Sequence, residues 1–386
     1  MGNKPRILWG TPERDAVGNG LGYSFHNRMM IKHTMPHIIN DSESNIVLQI
    51  VSGDKFEPVK GRINVLFTMW EFIDVPPSYQ KALAKADYVI VPSSFCKEIF
   101  APYCKNTPIV CWEGVDPNQY KFVKRERGSK FRFLWVGAPN PRKGYQSILN
   151  VIQIADKYPN IEFYLKTTTK KISLVDTIKQ TIKHWGQIKD VKGGMEGLVR
   201  IIKRIPSPFN AEKIFTYGVH KNIFVDTRKL PLQDLIDLYG KASAFLFPSL
   251  GEGWGLTLTE AMATGLPCIS TDKTGCADYF DKSVGYVIKT DVGSLGALPN
   301  YGLDDCRAYI PDTQNFFDQM MRVVTHYGEA LKKGRQASYR MRTKFTWERS
   351  GLRLAQILTD IYEKEGMDEK ISSGFGLRFN SNKSIV

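Results

Sequence analysis

The sequence predicts an α/β protein of two domains, each built on a parallel sheet. Three observations carry that expectation. Apolar runs of strand length alternate with helical stretches almost from end to end, the pattern of strands joined by crossover helices. The 386 residues are long for one domain and comfortable for two. A charged, glycine-containing stretch, Lys121 to Lys130, breaks the alternation and reads as an interdomain linker.

In the first half, Arg6–Trp9, Asn45–Ile50, Asn64–Phe67, Tyr88–Val91 and Ile109–Cys111 read as short buried strands. Pro77–Ala86 reads as a helix between two of them, and Ser94–Phe100 as the start of another. The run Gly114-Val-Asp-Pro117 then ends the pattern. The second half opens with a strand at Phe131–Val136, a helix at Tyr145–Lys157 and a strand at Ile161–Leu165. Further strands are expected at Ile223–Val225, Ala244–Phe247 and Pro267–Ser270. Helices fit Leu232–Tyr239, Leu256–Ala263, Thr313–Tyr327 and Trp347–Lys364. The 57 residues between Leu165 and Ile223 exceed an ordinary crossover and read as an insertion. The polar segment after Glu365 reads as a mobile tail.

The formal net charge of +14 is localised. Residues 121–220 hold 20 basic and 7 acidic groups, a surplus of 13, and the remaining segments nearly balance. Such a surface suits an anionic partner (nucleotide phosphates, a nucleic-acid backbone or an acidic membrane) or serves solubility alone. The six cysteines form no Cys-x-x-Cys pair, and no apolar run reaches the length of a membrane span or signal peptide. These features fit a cytoplasmic, disulfide-free protein.

The most informative stretch runs from Phe245 to Ile269: a buried strand, a glycine-rich loop, a short helix ending at Gly265 and a second strand. Gly251, Gly253 and Gly255 let backbone amides approach a ligand, and the helix from Leu256 points its positive end at the same place. Such a loop suits a phosphate together with hydroxyls. Glu252 lies in the loop and Glu260 about one turn into the helix, so the two carboxylates need not touch and can meet two different parts of a ligand. With Pro248-Ser249 before it and Glu260-Ala-Met-Ala-Thr-Gly-Leu-Pro267 after it, the stretch resembles the Glu-x7-Glu motif of the family-4 (group 1) retaining glycosyltransferases. A glycine turn with one solvated glutamate and one in the helix's first turn, favoured there by the helix dipole, is the bland alternative.

That resemblance implies the GT-B fold, two Rossmann-like domains facing a central cleft. It implies that Glu252 meets the transferred sugar, that Glu260 meets the nucleotide ribose, and that the backbone of Gly253, Trp254, Gly255 and Leu256 holds sugar and phosphate. Upstream, Trp135-Val-Gly-Ala-Pro-Asn-Pro-Arg-Lys-Gly144 resembles the family's diphosphate-gripping segment, with Lys143 at the family's Lys position. Ala138 replaces the family's usual Arg, and Arg142 is the candidate to supply the missing charge. Gly22, in the loop Gly18-Asn-Gly-Leu-Gly-Tyr23, matches a loop that closes over the donor from the opposite domain. Weaker similarity at Phe67–Tyr79, Ala86–Phe95, Glu113–Pro117 and Phe345–Glu348 extends the likeness over about residues 5–365. The expected organisation is an acceptor domain at 1–125 and a nucleotide-sugar domain at 126–345 with a basic insertion near 166–215. A helix at 346–365 crosses back, and a tail follows at 366–386.

Other readings carry less. Gly18-x-Gly-x-Gly22 with Asp41 downstream lacks the spacing of a dinucleotide fingerprint. His26, His33 and His37 lack a matching carboxylate cluster and read as core, cap or surface residues. No Asp-x-Asp occurs, which fits a transferase whose diphosphate is held by cations and helix ends, with no metal and no cofactor beyond a UDP- or GDP-linked co-substrate. Glu71, at a strand end facing the expected cleft, is either an acceptor-orienting base or a structural partner. Lys166 is a donor-contact candidate or an ordinary surface lysine. The acceptor is open among a hydroxylated base in DNA, toward which the basic insertion leans, an anionic membrane lipid and a soluble or cell-surface glycan. A non-catalytic sugar-nucleotide or carbohydrate-binding protein is the alternative of another class.

Overall fold

The computed structural model of the chain describes residues 4–11, 21–138, 140–152, 158–167, 204–206, 214–217 and 220–374. The first domain carries β1 (Arg6–Trp9), β2 (Ile39–Asn40), β3 (Ile46–Ile50), β4 (Ile63–Phe67), β5 (Tyr88–Val91) and β6 (Ile109–Val110). All run parallel in the order β2-β1-β3-β4-β5-β6. Helices α1 (Leu21–Thr34), α2 (Pro77–Lys85) and α3 (Ser94–Phe100) cover it. Because strand side chains alternate, β4 sends Val65 and Phe67 into one core and Leu66 into the other, and all three are buried.

The second sheet holds β7 (Phe131–Val136), β8 (Ile161–Lys166), β9 (Arg204–Pro206), β10 (Ile214–Tyr217), β11 (His220–Asp226), β12 (Ala244–Phe247), β13 (Cys268–Thr271) and β14 (Tyr286–Ile288). Their order is β14-β13-β12-β7-β8-β11-β10-β9, parallel except where β9 and β10 extend the edge antiparallel. Strand β9 falls in the expected insertion at 166–215 and β10 begins at its end; most of that segment lies outside the described residues. Helices α4 (Tyr145–Ile152), α5 (Leu232–Lys241) and α6 (Leu256–Ala263) pack on this sheet, followed by α7 (Thr313–Thr325), α8 (Tyr327–Lys344) and α9 (Trp347–Gly374). An arm made of β15 (Thr290–Ser294) and β16 (Arg307–Pro311) forms a separate antiparallel pair.

Several expectations change. The helix expected over Thr313–Tyr327 stops at Thr325, because His326 is non-helical (ψ 48°), and α8 starts anew. Helix α8 escapes a pattern search because its buried side includes Ala330, Gly334, Ala337 and Ser338, small residues that let it approach the α6 end. A Cβ at Gly334 would lie 2.3 Å from the Gly265 carbonyl oxygen. The segment Lys121–Lys130 is docked and not a free tether: the Arg125 guanidinium donates to the carbonyls of Thr264 at 2.7 Å and Tyr239 at 2.8 Å. The final helix runs on to Gly374, so the expected tail begins as helix, and residues 375–386 lie outside the described residues.

The chain passes between the domains twice at one place. Val115 bridges Thr346 in parallel, and a Cβ on Gly114 would sit 2.2 Å from the Trp347 nitrogen. Beyond this crossing, α9 buries Trp347, Leu354, Ile357, Leu358 and Ile361 in the core of the first domain. Among the described residues, no helix is long and apolar enough to cross a membrane.

Candidate functional site

In the second sheet β7 lies between β12 and β8, so the connections leave it in opposite directions. A crevice must open outside the carboxyl ends of β7 and β12, the place where doubly wound sheets bind ligands. The loops leaving those two strands carry the candidate residues. After β7, Asn140 caps a short 3₁₀ turn at Pro141–Lys143 by accepting from the Lys143 amide at 3.0 Å, and Gly144 ends it at φ 67°. After β12, the Leu250 amide donates to the Arg142 carbonyl at 2.8 Å. The loops pass so closely that a Cβ on Gly144 would fall 1.8 Å from the Pro248 carbonyl oxygen.

This stitching brings Arg142 and Lys143 onto Glu252. Lys143 Nζ donates to both Glu252 oxygens at 2.7 and 2.9 Å, Arg142 Nη1 to Oε2 at 3.0 Å, and Ser249 Oγ to Oε1 at 2.7 Å. Glu71, on the loop after β4, adds a carboxylate from the first domain, 3.6 Å from Arg142 Nη2. The Glu71 carbonyl oxygen also abuts Gly251, where a Cβ would lie only 2.0 Å away. Burial opposes charge on Glu252, but Lys143 and Arg142 overcome it and hold the carboxyl below its ordinary range. Burial likewise works against the Arg142 cation, and Glu252 and Glu71 outweigh it. Lys143 is drawn below the usual lysine range by burial and by Arg142, with Glu252 pulling the other way.

A third loop supports the cluster. The Glu252 amide donates to Thr274 Oγ1 at 3.0 Å, and the Gly275 amide donates to the Glu252 carbonyl at 2.9 Å. Thr274 has φ 58°, the one positive-φ residue other than glycine among those described. A β-branched residue there costs about 1–3 kcal/mol, which the surrounding contacts must offset. Helix α6 begins after Gly255, itself at φ 104°, and turns its first amides toward the same loop.

Glu260 stands apart from the four-residue cluster. Its carboxyl accepts from Tyr239 Oη at 2.9 Å and is bonded by Tyr120 as well; burial pushes it up to about 7. Trp254 is only 1% exposed, its indole packed on Tyr279 at 4.7 Å and Phe345 at 5.5 Å, so its backbone alone can meet a ligand. Gly253 packs on Met69 of the first domain, and Gly22 lies in the first turn of α1 with open space at its α-carbon. Lys166 is not a surface lysine: it is buried at the end of an interior strand, and its ammonium donates to the carbonyls of Thr167 at 2.8 Å and Arg228 at 2.6 Å. His26 Nδ1 pairs with Glu113 at 2.6 Å in the core, and Asp41 pairs with Arg6. Thr274, Tyr120 and Tyr239 were given no site role by the sequence, and Ser249 entered only as the flank of the motif. The Pro-Ser before the loop and the Thr-Gly after β13 were the local signals; the two tyrosines had none.

Comparison with known proteins fits this geometry. The family Glycosyl transferases group 1 matches residues 212–297, which include Glu252, Glu260 and Thr274. An O-antigen chain mannosyltransferase B of Escherichia coli is 22% identical over 172 residues, covering 45% of this chain and 36% of that protein. The chain therefore aligns with little more than a third of that relative's length. Three solved structures share the fold. A glycosyltransferase from Rickettsia africae superposes with a TM-score of 0.60 at 12% identity, covering 93% of this chain and 99% of that one. A sucrose-phosphate synthase from Thermosynechococcus elongatus gives 0.58 at 14%, covering 90% and 81%. Anabaena HepE, solved with UDP and glucose, gives 0.56 at 11%, covering 92% and 100%. The matched segment is similar to the group 1 glycosyltransferases, and the two parallel-sheet domains share the GT-B fold of these solved structures.

Proposed function

We propose that the chain transfers a sugar, with retention of anomeric configuration, from a nucleoside-diphosphate donor to an acceptor hydroxyl. The observation that carries this reading is the convergence of Arg142, Lys143 and Glu252 in the crevice, with Glu71 facing them from the opposite domain. Two cations and two acids make a neutral set without ligand. An arriving diphosphate draws the cations toward itself and frees Glu252 for the sugar's hydroxyls. As the bond from the anomeric carbon to the diphosphate oxygen breaks, that oxygen gains negative charge, and Arg142 and Lys143 stabilise it. The same oxygen takes the acceptor hydroxyl's proton while the acceptor oxygen bonds the anomeric carbon on the same face. Glu71 orients the acceptor, Glu260 takes the ribose, and the amides from Gly253 to Leu256 take sugar and phosphate. The two cations supply the charge that a metal supplies elsewhere. A UDP-linked donor is favoured by the likeness to HepE, which was solved with UDP and glucose.

Donor hydrolysis across a panel of UDP- and GDP-sugars tests the reading. Lys143→Ala is expected to lower kcat by roughly 10²–10³-fold, the scale of losing one charge-stabilising donor. Hydrolysis by the wild type of no donor, or no loss in the variant, refutes it. A nucleic-acid acceptor retains one supporting observation, the 20 basic against 7 acidic groups of residues 121–220. Salt-sensitive retardation of duplex DNA is its measure.

A further inference from the structure

We propose that the Tyr301 ring, carried on the β15–β16 arm, is the acceptor-side platform of the cleft and stacks a neutral saccharide whose hydroxyls meet Glu71. This rests on the transferase reading and names its acceptor class.

The arm belongs by sequence to the second domain but packs on the first. Leu295, Leu298 and Leu303 lie against the cluster that holds Trp70 and Phe72, and the Ile73 amide donates to the Arg307 carbonyl at 3.3 Å. Arg307 closes a forked pair with Asp74, at 2.6 and 3.1 Å. Between the strands, a 3₁₀ turn at Pro299–Tyr301, ended by Gly302 at φ 66°, presents Tyr301 at the tip. Its ring centroid is 4.9 Å from that of Trp70, the residue just before Glu71. Trp70 is 2% exposed and Tyr301 43%, so the buried indole braces the phenol at an interplanar angle of 71° and the phenol ring is the open surface. The Tyr301 hydroxyl forms no hydrogen bond among the described residues. Glu71 and Arg142 both lie close enough to act on it electrostatically.

A sugar ring has a C–H face that packs on an aromatic surface and hydroxyl edges that seek a carboxylate. Tyr301 and Glu71 offer these within electrostatic reach of each other, and Glu71 faces Arg142 of the cation pair. A flipped nucleobase asks for something else, enclosure between flat groups, and one ring does not provide it. The arm is also acidic: Asp291, Asp304 and Asp305 stand against Arg307, which Asp74 already neutralises. A phosphate backbone is repelled from such a rim, and an uncharged acceptor is not.

Saturation-transfer NMR with methyl glycosides of glucose, galactose, mannose and N-acetylglucosamine, in the presence of UDP, tests the platform on the full chain. At least one glycoside is expected to bind. Tyr301→Ala should weaken it roughly tenfold, and Tyr301→Phe should stay within roughly twofold, as stacking requires. In transfer assays the loss should appear in the acceptor KM and leave kcat nearly unchanged. Tyr339→Ala, at an exposed position on α8, serves as the unaffected control. Binding of no glycoside, equal binding in Tyr301→Ala, or retardation of duplex DNA that Tyr301→Ala abolishes overturns the proposal. Donor hydrolysis by the wild type is scored separately, so failure of the transferase reading is distinguishable from failure of the platform.

Discussion

Glu252 and Glu260 belong to one sequence motif, yet their surroundings drive them in opposite directions. Glu252 meets two cations and ionises readily, whereas Glu260 meets two phenols and no cation. With its folded pKa near 7, Glu260 holds its proton more tightly in the folded chain than in the unfolded one. Its contribution to stability is complete below the ordinary carboxylate range and is lost as pH rises through about 7. The shift is worth about 3 kcal/mol at most, less where water screens the partly exposed side chain. Glu260→Gln should therefore flatten the fall in Tm between pH 5 and 8, and superimposable pH profiles would count against this account. Tyr239→Phe removes a donor to the same carboxyl and should move the midpoint of that fall upward, read from the same melts.

At the scale of elements, the site depends on three loops set by backbone geometry. Gly144 is the tightest point, combining a left-handed φ with the Pro248 carbonyl 1.8 Å from any added Cβ. Gly61 shares the conformation, at φ 74°, but has nothing within 4 Å. Gly61→Ala should cost about 1–2 kcal/mol from the backbone alone. Gly144→Ala should cost more and displace Arg142 and Lys143, so that donor hydrolysis falls together with Tm. Equal losses in urea denaturation would show that the close approach is unimportant. Strands β1, β5, β7 and β12 and helix α6 have the bounds that their apolar runs imply, and α3 ends at Phe100, where the sequence marked only a helix start. The arm was invisible because its strand Thr290–Ser294 has no buried residue; its apolar contacts are made from its loop and β16, against another domain.

For the whole molecule, the two domains meet across the site itself. Arg142 faces Glu71, Gly253 faces Met69, the Asp278 carboxylate accepts from the Ser94 amide at 2.9 Å, and the arm clasps Asp74. An exposed pair such as Arg307–Asp74 is worth about 0.2–1 kcal/mol, so its loss should loosen the docking of the domains without unfolding either. Asp74→Arg should open the cleft, enlarging the radius of gyration in solution scattering, and Asp74→Arg with Arg307→Asp should restore it. No change in the single variant would remove the clasp from the account of closure.

The sequence by itself determined what local spacing encodes: the alternation of strands and helices, the glycine loop with Glu252, and the basic turn with Lys143. Each is written within about ten neighbouring residues. Tertiary structure alone decided that Arg142 reaches Glu252, 110 residues away, because β7 and β12 are sheet neighbours only once the sheet is wound in both directions. It alone decided that Glu71 joins them, that Trp254 turns inward, that Lys166 is buried, and that the arm crosses to the other domain. Contacts of that range follow from strand order and domain docking, which no local periodicity records.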